Sequence, residues 1–116
     1  MRVEIVARGP VVVANLAGEL DHHAAETVRV QLDQAMDRLH PPRVVLDLSQ
    51  LAFMDSSGLG VILGRYKRIK ERGGVLAISG TSPAVERLFA LSGMHRIVTL
   101  YHAQDEAVRA VKEVAL

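Results

Sequence analysis

The sequence predicts an α/β fold, with a mixed, mostly parallel sheet of four to five strands and about four helices packed on it. Residues 44–48 and 75–78 are nearly unbroken apolar runs, which is typical of strands buried on both faces. A helical stripe of apolar residues follows each of these runs. Residues 3–7 and 11–16 are β-branched runs joined by a Gly-Pro turn, which indicates an opening hairpin. A hairpin followed by alternating helices and strands gives a sheet that is parallel after its first strand.

The first helix is expected to begin after Asp21, because a carboxylate is a preferred N-cap and Glu26 would favour the helix dipole. Apolar residues at helical spacing over 25–39 predict about four turns. The His-Pro-Pro run at 40–42 is expected to end this helix, because proline cannot continue its hydrogen-bond ladder.

Residues 49–54 are expected to form a short connector to the second helix, whose apolar stripe starts at Leu59. We expect Ser56 or Ser57 to cap this helix and the neighbouring hydroxyl to face solvent. The basic residues of 65–72 suit the carboxyl end of a helix and are interpreted as a solvated face. A Gly-Gly pair then stops the helix.

After the strand at 75–78, Ser82 is predicted to cap a short helix with proline at its first position, and a Ser-Gly pair at 92–93 to end it. Residues 97–101 are predicted to form the last strand. Residues 105–114 are predicted to form an amphipathic helix whose inward side chains are Ala107, Val108, Val111 and Val114.

Length and composition predict one globular domain over residues 1–116, with 49% apolar and 23% charged residues. There is no cysteine, which excludes disulfides and thiolate chemistry. A charged amino terminus and the absence of a long apolar stretch predict a cytoplasmic protein with no membrane segment. The net charge of +1 gives no reason to expect nucleic acid as a partner.

Glycines at positions 58, 60 and 64 follow a strand, as in a dinucleotide-binding turn. That fold needs an acid at the end of the next strand, which here ends in Ser79. A hydrolase nucleophile at Ser56 would need flanking glycines and a histidine to activate it, and no histidine spacing identifies one. His22 and His23 are adjacent and would point in different directions on a helix. These patterns predict no catalytic residue, no metal and no cofactor.

One of the two serines at the start of the second helix is redundant for capping. A phosphate there would add a charge of about −1.5 to −2. A helix N-terminus tolerates an anion, so the fold should survive the modification. A protein interface that covers the serine would not tolerate the added charge. A loss of about 3 kcal/mol in binding free energy weakens binding more than a hundredfold. The pattern therefore suggests a switch that acts on binding.

Residues 53–67, with Asp-Leu-Ser at 47–49, resemble the block around the phosphorylated serine of the STAS domain family. Within that family the chain resembles the anti-sigma factor antagonists of the sporulation sigma factor F branch, also called anti-anti-sigma factors. Residues 18–26 and 82–94 carry this second resemblance, and the similarity covers nearly the whole chain.

The resemblance implies a non-enzymatic regulator that, when unphosphorylated, binds an anti-sigma factor and frees sigma factor F. That partner is a serine kinase that uses ATP to phosphorylate the first serine after the aspartate, here Ser56, and a phosphatase reverses the reaction. Ser57 would be the cap or a packing residue, and Asp21 a polar contact for the kinase. The implied partner-binding residues are Asp21, Asp55, Ser57, Gly58, Leu59 and Gly60.

Two alternatives keep the STAS fold. The chain could serve the general stress response as an anti-sigma antagonist of that branch. It could also be a ligand- or nucleotide-binding STAS module of the kind that accompanies transporters.

Overall fold

The computed structural model describes residues 1–116 as a sheet flanked by helices. The strands are β1 (Arg2–Arg8), β2 (Val11–Leu20), β3 (Arg43–Met54), β4 (Val75–Ser79) and β5 (Thr99–Tyr101). The helices are α1 (Ala25–Met36), α2 (Ser56–Glu71), α3 (Pro83–Ser92) and α4 (Gln104–Glu113). None of these helices combines the length and the apolar character needed to cross a membrane.

The strands lie in the order β1-β2-β3-β4-β5. β1 pairs antiparallel with β2, and every later neighbouring pair is parallel. This confirms the α/β prediction of a mixed, mostly parallel sheet opened by a hairpin. The larger apolar cluster joins one face of the sheet to α1, α2 and α3, and a smaller one joins the opposite face to α4.

β3 is longer than predicted, and no connector separates it from α2. Residues 49–54 continue the strand, and from Gln50 to Met54 they pair with the end of β2. On its other side, β3 pairs with β4 only along its first part, from Arg43 to Asp47. The ends of β2 and β3 therefore extend beyond the parallel sheet as a two-stranded ribbon, and this extension positions the start of α2.

The predicted limits of α1 are wrong at both ends. Asp21 is not its N-cap, because a turn intervenes and the residue before the helix, Ala24, provides no side-chain cap. Asp21 Oδ1 instead accepts a hydrogen bond from Ala24 N at 3.0 Å, which stabilises that turn. The helix ends at Met36, with Asp37 as C-cap, before the prolines are reached.

The basic residues of α2 do not all face solvent, contrary to the prediction. Arg65 is buried, and its Nε lies 2.9 Å from Asp33 Oδ1 of α1. Arg68 and the C-cap residue Arg72 reach the exposed Asp37, the C-cap of α1. These cations therefore join the two helices.

The last third of the chain follows the prediction closely. Ser82 Oγ accepts from Val85 N at 3.2 Å and caps α3, which ends before Gly93 in a left-handed conformation, φ 78°. A short 3-10 helix at Met94–Arg96, which was not predicted, shortens β5. Three of the four predicted inward side chains of α4 are buried, but Val114 lies past the helix and is 37% exposed.

Candidate functional site

The ribbon formed by β2 and β3 brings two distant parts of the chain to one edge of the domain. Leu20 and Met54, the last residues of these strands, are direct neighbours in the parallel register. The backbone N–H of Asp55 donates to the carbonyl of Leu20 at 3.4 Å, a long hydrogen bond that continues the pairing. Asp21 and Asp55 are therefore the residues that directly follow two neighbouring strand ends. We call the residues Glu19, Asp21, Phe53, Ser56 and Gly60, which lie at the ends of β2 and β3 or at the start of α2, the Ser56 edge.

Asp55 is the N-cap of α2, so the prediction that Ser56 or Ser57 caps this helix is wrong. Its Oδ1 accepts from Ser57 N at 2.9 Å and from Gly58 N at 3.2 Å. Asp55 has extended backbone angles, as an N-cap residue requires. Ser56 is the first helical residue and is exposed, and Ser57 is half-buried. Both hydroxyls are thus free of the capping role.

Three amides at the start of α2, those of Ser57, Gly58 and Leu59, are already occupied. Besides the two hydrogen bonds to the Asp55 carboxylate, Leu59 N donates to the Asp55 carbonyl at 3.2 Å. A phosphate on Ser56 would be favoured by the helix dipole. It would not replace the cap, however, because the Asp55 carboxylate already accepts from the amides of Ser57 and Gly58. The added charge would remain on the outside of the domain.

The predicted contact residues of α2 differ in their accessibility. Gly58 and Leu59 are buried, and a Cβ on Gly58 would lie 2.5 Å from Met54 Cγ and 2.8 Å from the Leu20 carbonyl oxygen. Gly60 is exposed, and a Cβ there would meet nothing within 4 Å. Gly60 lies one turn after Ser56 and shares its face of the helix. The role of all three in partner binding stays a prediction.

Asp21 lines a cleft of about 590 Å³ beside the start of α1. Glu19, His23 and Thr27 also contribute side chains to its wall. Sequence reasoning did not identify this cleft, although parallel strands that end at one edge commonly leave a crevice there. Its two carboxylates favour a cationic group from a partner, and the amino group of Met1, which also lines the cleft, partly offsets their charge. No group of three or more His, Asp or Glu side chains is arranged to hold a metal ion.

Phe53 adds an apolar element to the Ser56 edge. It lies on the ribbon opposite Glu19 and is 49% exposed. Exposed aromatic side chains are over-represented in protein interfaces relative to the rest of the surface. The chain thus places an aromatic ring, a hydroxyl and two carboxylates at or next to the ends of β2 and β3.

A buried carboxylate supports β3 at the point where the ribbon begins. Asp47 Oδ2 accepts from Ser79 Oγ at 2.7 Å, and its Oδ1 accepts from Ser49 N at 3.0 Å. Burial raises the pKa of Asp47, but the hydrogen bonds from Ser49 and Ser79 outweigh it, and the pKa lies below the ordinary value of 3.8. The charged carboxylate therefore ties β3 to β4.

Comparison with known proteins agrees with this architecture. The model of the family described as "STAS domain" matches residues 2–107. The chain is 44% identical to the anti-sigma F factor antagonist of Paenibacillus polymyxa, over 98% of this chain and 95% of the relative. It is 33% identical to the anti-sigma-B factor antagonist of Bacillus subtilis, over 82% of this chain and 85% of the relative.

Among solved structures, the chain is similar to the Bacillus cell fate determinant SpoIIAA in its phosphorylated form. The identity is 29% and the TM-score 0.73, with 95% of this chain and 99% of the other covered. The family match, the curated relatives and the shared fold agree. The chain belongs to the STAS domain family, alongside relatives named as anti-sigma factor antagonists.

Proposed function

We propose that this protein is an anti-sigma factor antagonist of the sigma factor F branch, controlled by phosphorylation of Ser56. In the unphosphorylated state it binds an anti-sigma factor that is also an ATP-dependent serine kinase, and so releases the sigma factor. The kinase phosphorylates Ser56 and the complex dissociates. A serine phosphatase restores the binding form.

The exposure of Ser56 is the observation that carries this proposal. The hydroxyl sits at the first position of α2, and Asp55 performs the capping for which a serine would otherwise be needed. A kinase can therefore reach and modify Ser56 without breaking the helix start. The half-buried Ser57 is the poorer acceptor, because a phosphate there would have to displace neighbouring groups.

The surroundings of Ser56 explain how a phosphate would end binding. A bound partner covering the Ser56 edge would have to bury a charge of about −1.5 to −2, while the amides of Ser57 and Gly58 remain held by Asp55. Glu19 and Asp21 already give this edge negative charge, so a phosphate would add to a charge that a bound partner must already compensate. A penalty of about 3 kcal/mol reduces affinity more than a hundredfold.

The sigma factor F assignment is supported by the Paenibacillus relative, which is the more similar of the two described above. The Bacillus subtilis relative supports the general stress response as a second candidate circuit. Both circuits would use Ser56 and the same edge. Binding measurements with purified anti-sigma factors of each kind would separate them.

A ligand- or nucleotide-binding role finds less support in the site. The largest cleft is lined by Glu19 and Asp21, whose two negative charges outnumber the single amino-terminal charge of Met1 and oppose a nucleotide's phosphates. Calorimetry in which the isolated protein binds a nucleotide tightly would revive this alternative.

The experiment that tests the proposal combines binding and modification. The protein is mixed with the anti-sigma kinase and ADP or ATP, the complex is isolated, and the modified residue is mapped by mass spectrometry. We expect a stable complex with ADP, and a phosphate on Ser56 with ATP. Ser57→Ala is the matched control and should still be phosphorylated, whereas Ser56→Ala should bind and remain unmodified. Phosphate on Ser57, or on an Ser56→Ala protein, would refute the assignment.

A further inference from the structure

β1 is one of the two edges of the sheet, since its only neighbour is β2, and it is longer than β5 at the other edge. It pairs with β2 from Arg2 to Arg8 without a register shift, and it contains no proline. Proteins commonly protect such an edge with a bulge, a proline or a covering loop. Here Ile5 is 42% and Val6 38% exposed. The backbone groups on the outer side of a regular, partly apolar strand are thus available for pairing.

The sequence of this strand is self-complementary in one antiparallel register. If Val6 faces Val6 of a second copy, Ile5 faces Ala7 and Glu4 faces Arg8, each twice by symmetry. An apolar centre would then be bounded by two pairs of opposite charges, the arrangement that favours cross-strand pairing.

The neighbouring registers fit less well. A pairing about Ile5 sets Arg2 against Arg8, and a pairing about Glu4 sets two like carboxylates opposite each other. A pairing about Val3 matches Arg2 with Glu4 but leaves Val6 outside the interface. Of these, only the register about Val6 combines charge complementarity with burial of the exposed apolar centre.

The charged side chains needed for that register are already held in place. Arg8 Nη1 donates to Gln104 Oε1 at 3.0 Å, and its Nη2 lies 2.8 Å from Asp105 Oδ1. A fixed guanidinium loses less conformational freedom when it gains a further carboxylate. Glu4 accepts only a weak hydrogen bond from Asn15, at 3.4 Å. Glu4 is therefore free to turn toward Arg8 of a second copy.

We propose that the protein forms a symmetric dimer through β1, paired antiparallel about Val6 to make a continuous ten-stranded sheet. Val6 lies opposite Val13 of β2, seven residues before Leu20 at the far end of that strand. This separation is about 23 Å along a strand. The dimer therefore leaves both Ser56 edges accessible, and it presents two switches on one particle.

Sedimentation analysis over a wide concentration range tests the dimer. The weight-average mass is expected to rise from 12.6 kDa toward twice that value as the concentration increases. Glu4→Arg should remain monomeric because each new arginine would face Arg8 of the other copy. Arg8→Glu should remain monomeric because each new carboxylate would face Glu4 of the other copy. An equimolar mixture of the two variants should associate, since each charge then meets its opposite. That recovery also shows that both variants are folded.

Arg2→Glu is the matched control, because it reverses a charge on the same strand but outside the paired segment. It should dimerise like the unmodified chain. A mass that stays at 12.6 kDa at every concentration would overturn the proposal. So would disruption by Arg2→Glu, or a mixture of Glu4→Arg and Arg8→Glu that fails to associate. A Glu4→Arg variant that loses anti-sigma binding while the unmodified chain stays monomeric would assign this edge to that partner.

Discussion

Asp55 Oδ1 lies 2.9 Å from Ser57 N, and this hydrogen bond separates the two tasks found at the start of α2. The carboxylate closes the first turn, which leaves Ser56 exposed and without a part in the cap. The helix start can therefore remain intact while Ser56 is modified. This division between a structural acid and a free hydroxyl underlies the first two predictions.

Asp55→Ala is expected to lower the free energy of unfolding by about 1 kcal/mol, because two amides lose their acceptor. Urea denaturation followed by circular dichroism would measure the change. Ser57→Ala is the control and should cost much less, since its side chain does not cap the helix. Equal losses for the two variants would contradict the capping role of Asp55.

Ser56→Asp should leave the circular dichroism spectrum and melting temperature nearly unchanged, because an acid in the first turn is favoured by the helix dipole. Binding to the anti-sigma kinase should nevertheless weaken, since the added charge falls within the proposed contact. Titration calorimetry of the two proteins would measure this. Gln31→Glu on the exposed side of α1 adds the same charge elsewhere and should bind normally. An unfolded Ser56→Asp protein would contradict the account of the helix start.

Alanine substitutions at Gly58 and Gly60 should change the stability of the domain in opposite directions. At Gly58 the new methyl group would collide with Met54 and Leu20, and overpacking of this kind costs about 1–3 kcal/mol. At Gly60 the methyl group meets nothing, and the helix gains about 0.5–1 kcal/mol. Thermal melting of the two variants would show the difference. If Gly60 touches the partner as proposed, the stabilised Gly60→Ala protein should also bind the anti-sigma factor less tightly.

Much of this architecture follows from local patterns that the sequence displays. The apolar runs of β3 and β4 and the Ser82-Pro83 start of α3 were predicted because each depends on neighbouring residues alone. The extension of β3 to Met54 was not, because residues 49–54 are stabilised as a strand by pairing with the distant β2. The burial of Arg65 likewise depends on Asp33 of another helix.

The candidate site shows the same limit. The two adjacent serines identified the start of α2 as the candidate site. The exposure of Ser56 agrees with the expectation of one solvent-facing hydroxyl. Which side chain caps the helix could not be decided from the sequence, since Asp55, Ser56 and Ser57 are all good N-cap residues. The backbone angles of Asp55 decide it, and they follow from the unexpected end of β3 directly before that residue.

Asp47→Asn should lower stability by about 1–2 kcal/mol at neutral pH, because the ionised carboxylate accepts from Ser49 and Ser79. The folded-state pKa of Asp47 lies below 3.8, so its contribution is present above the unfolded value and is lost as pH falls through the folded value. The difference between the two proteins should therefore shrink below about pH 4. Urea denaturation at pH 7 and pH 3 would measure it. A difference that stays constant, or grows, in acid would contradict the role of the charge.

The ion pair between Arg65 and Asp33 supports the packing of α2 on α1. Its atoms lie 2.9 Å apart, but the N–H is poorly aligned with the carboxylate, and Arg65 Nη1 has no partner. Burial lowers the pKa of the Arg65 guanidinium against the attraction of Asp33. The two side chains are thus mostly buried, and some of their polar atoms lack a hydrogen-bond partner. Removing one member should leave the other charge buried without a partner, so that its full desolvation cost is no longer offset.

Asp33→Ala is therefore expected to destabilise the domain by about 3–5 kcal/mol in urea denaturation. The double variant Asp33→Leu/Arg65→Met should lose much less, since apolar side chains of similar size can replace a buried ion pair at little cost. Arg68→Ala, which removes an exposed cation from the same helix pair, should cost far less than Asp33→Ala, because solvent screens an exposed ion pair. If the double variant were as unstable as Asp33→Ala alone, packing rather than the stranded charge would explain the loss.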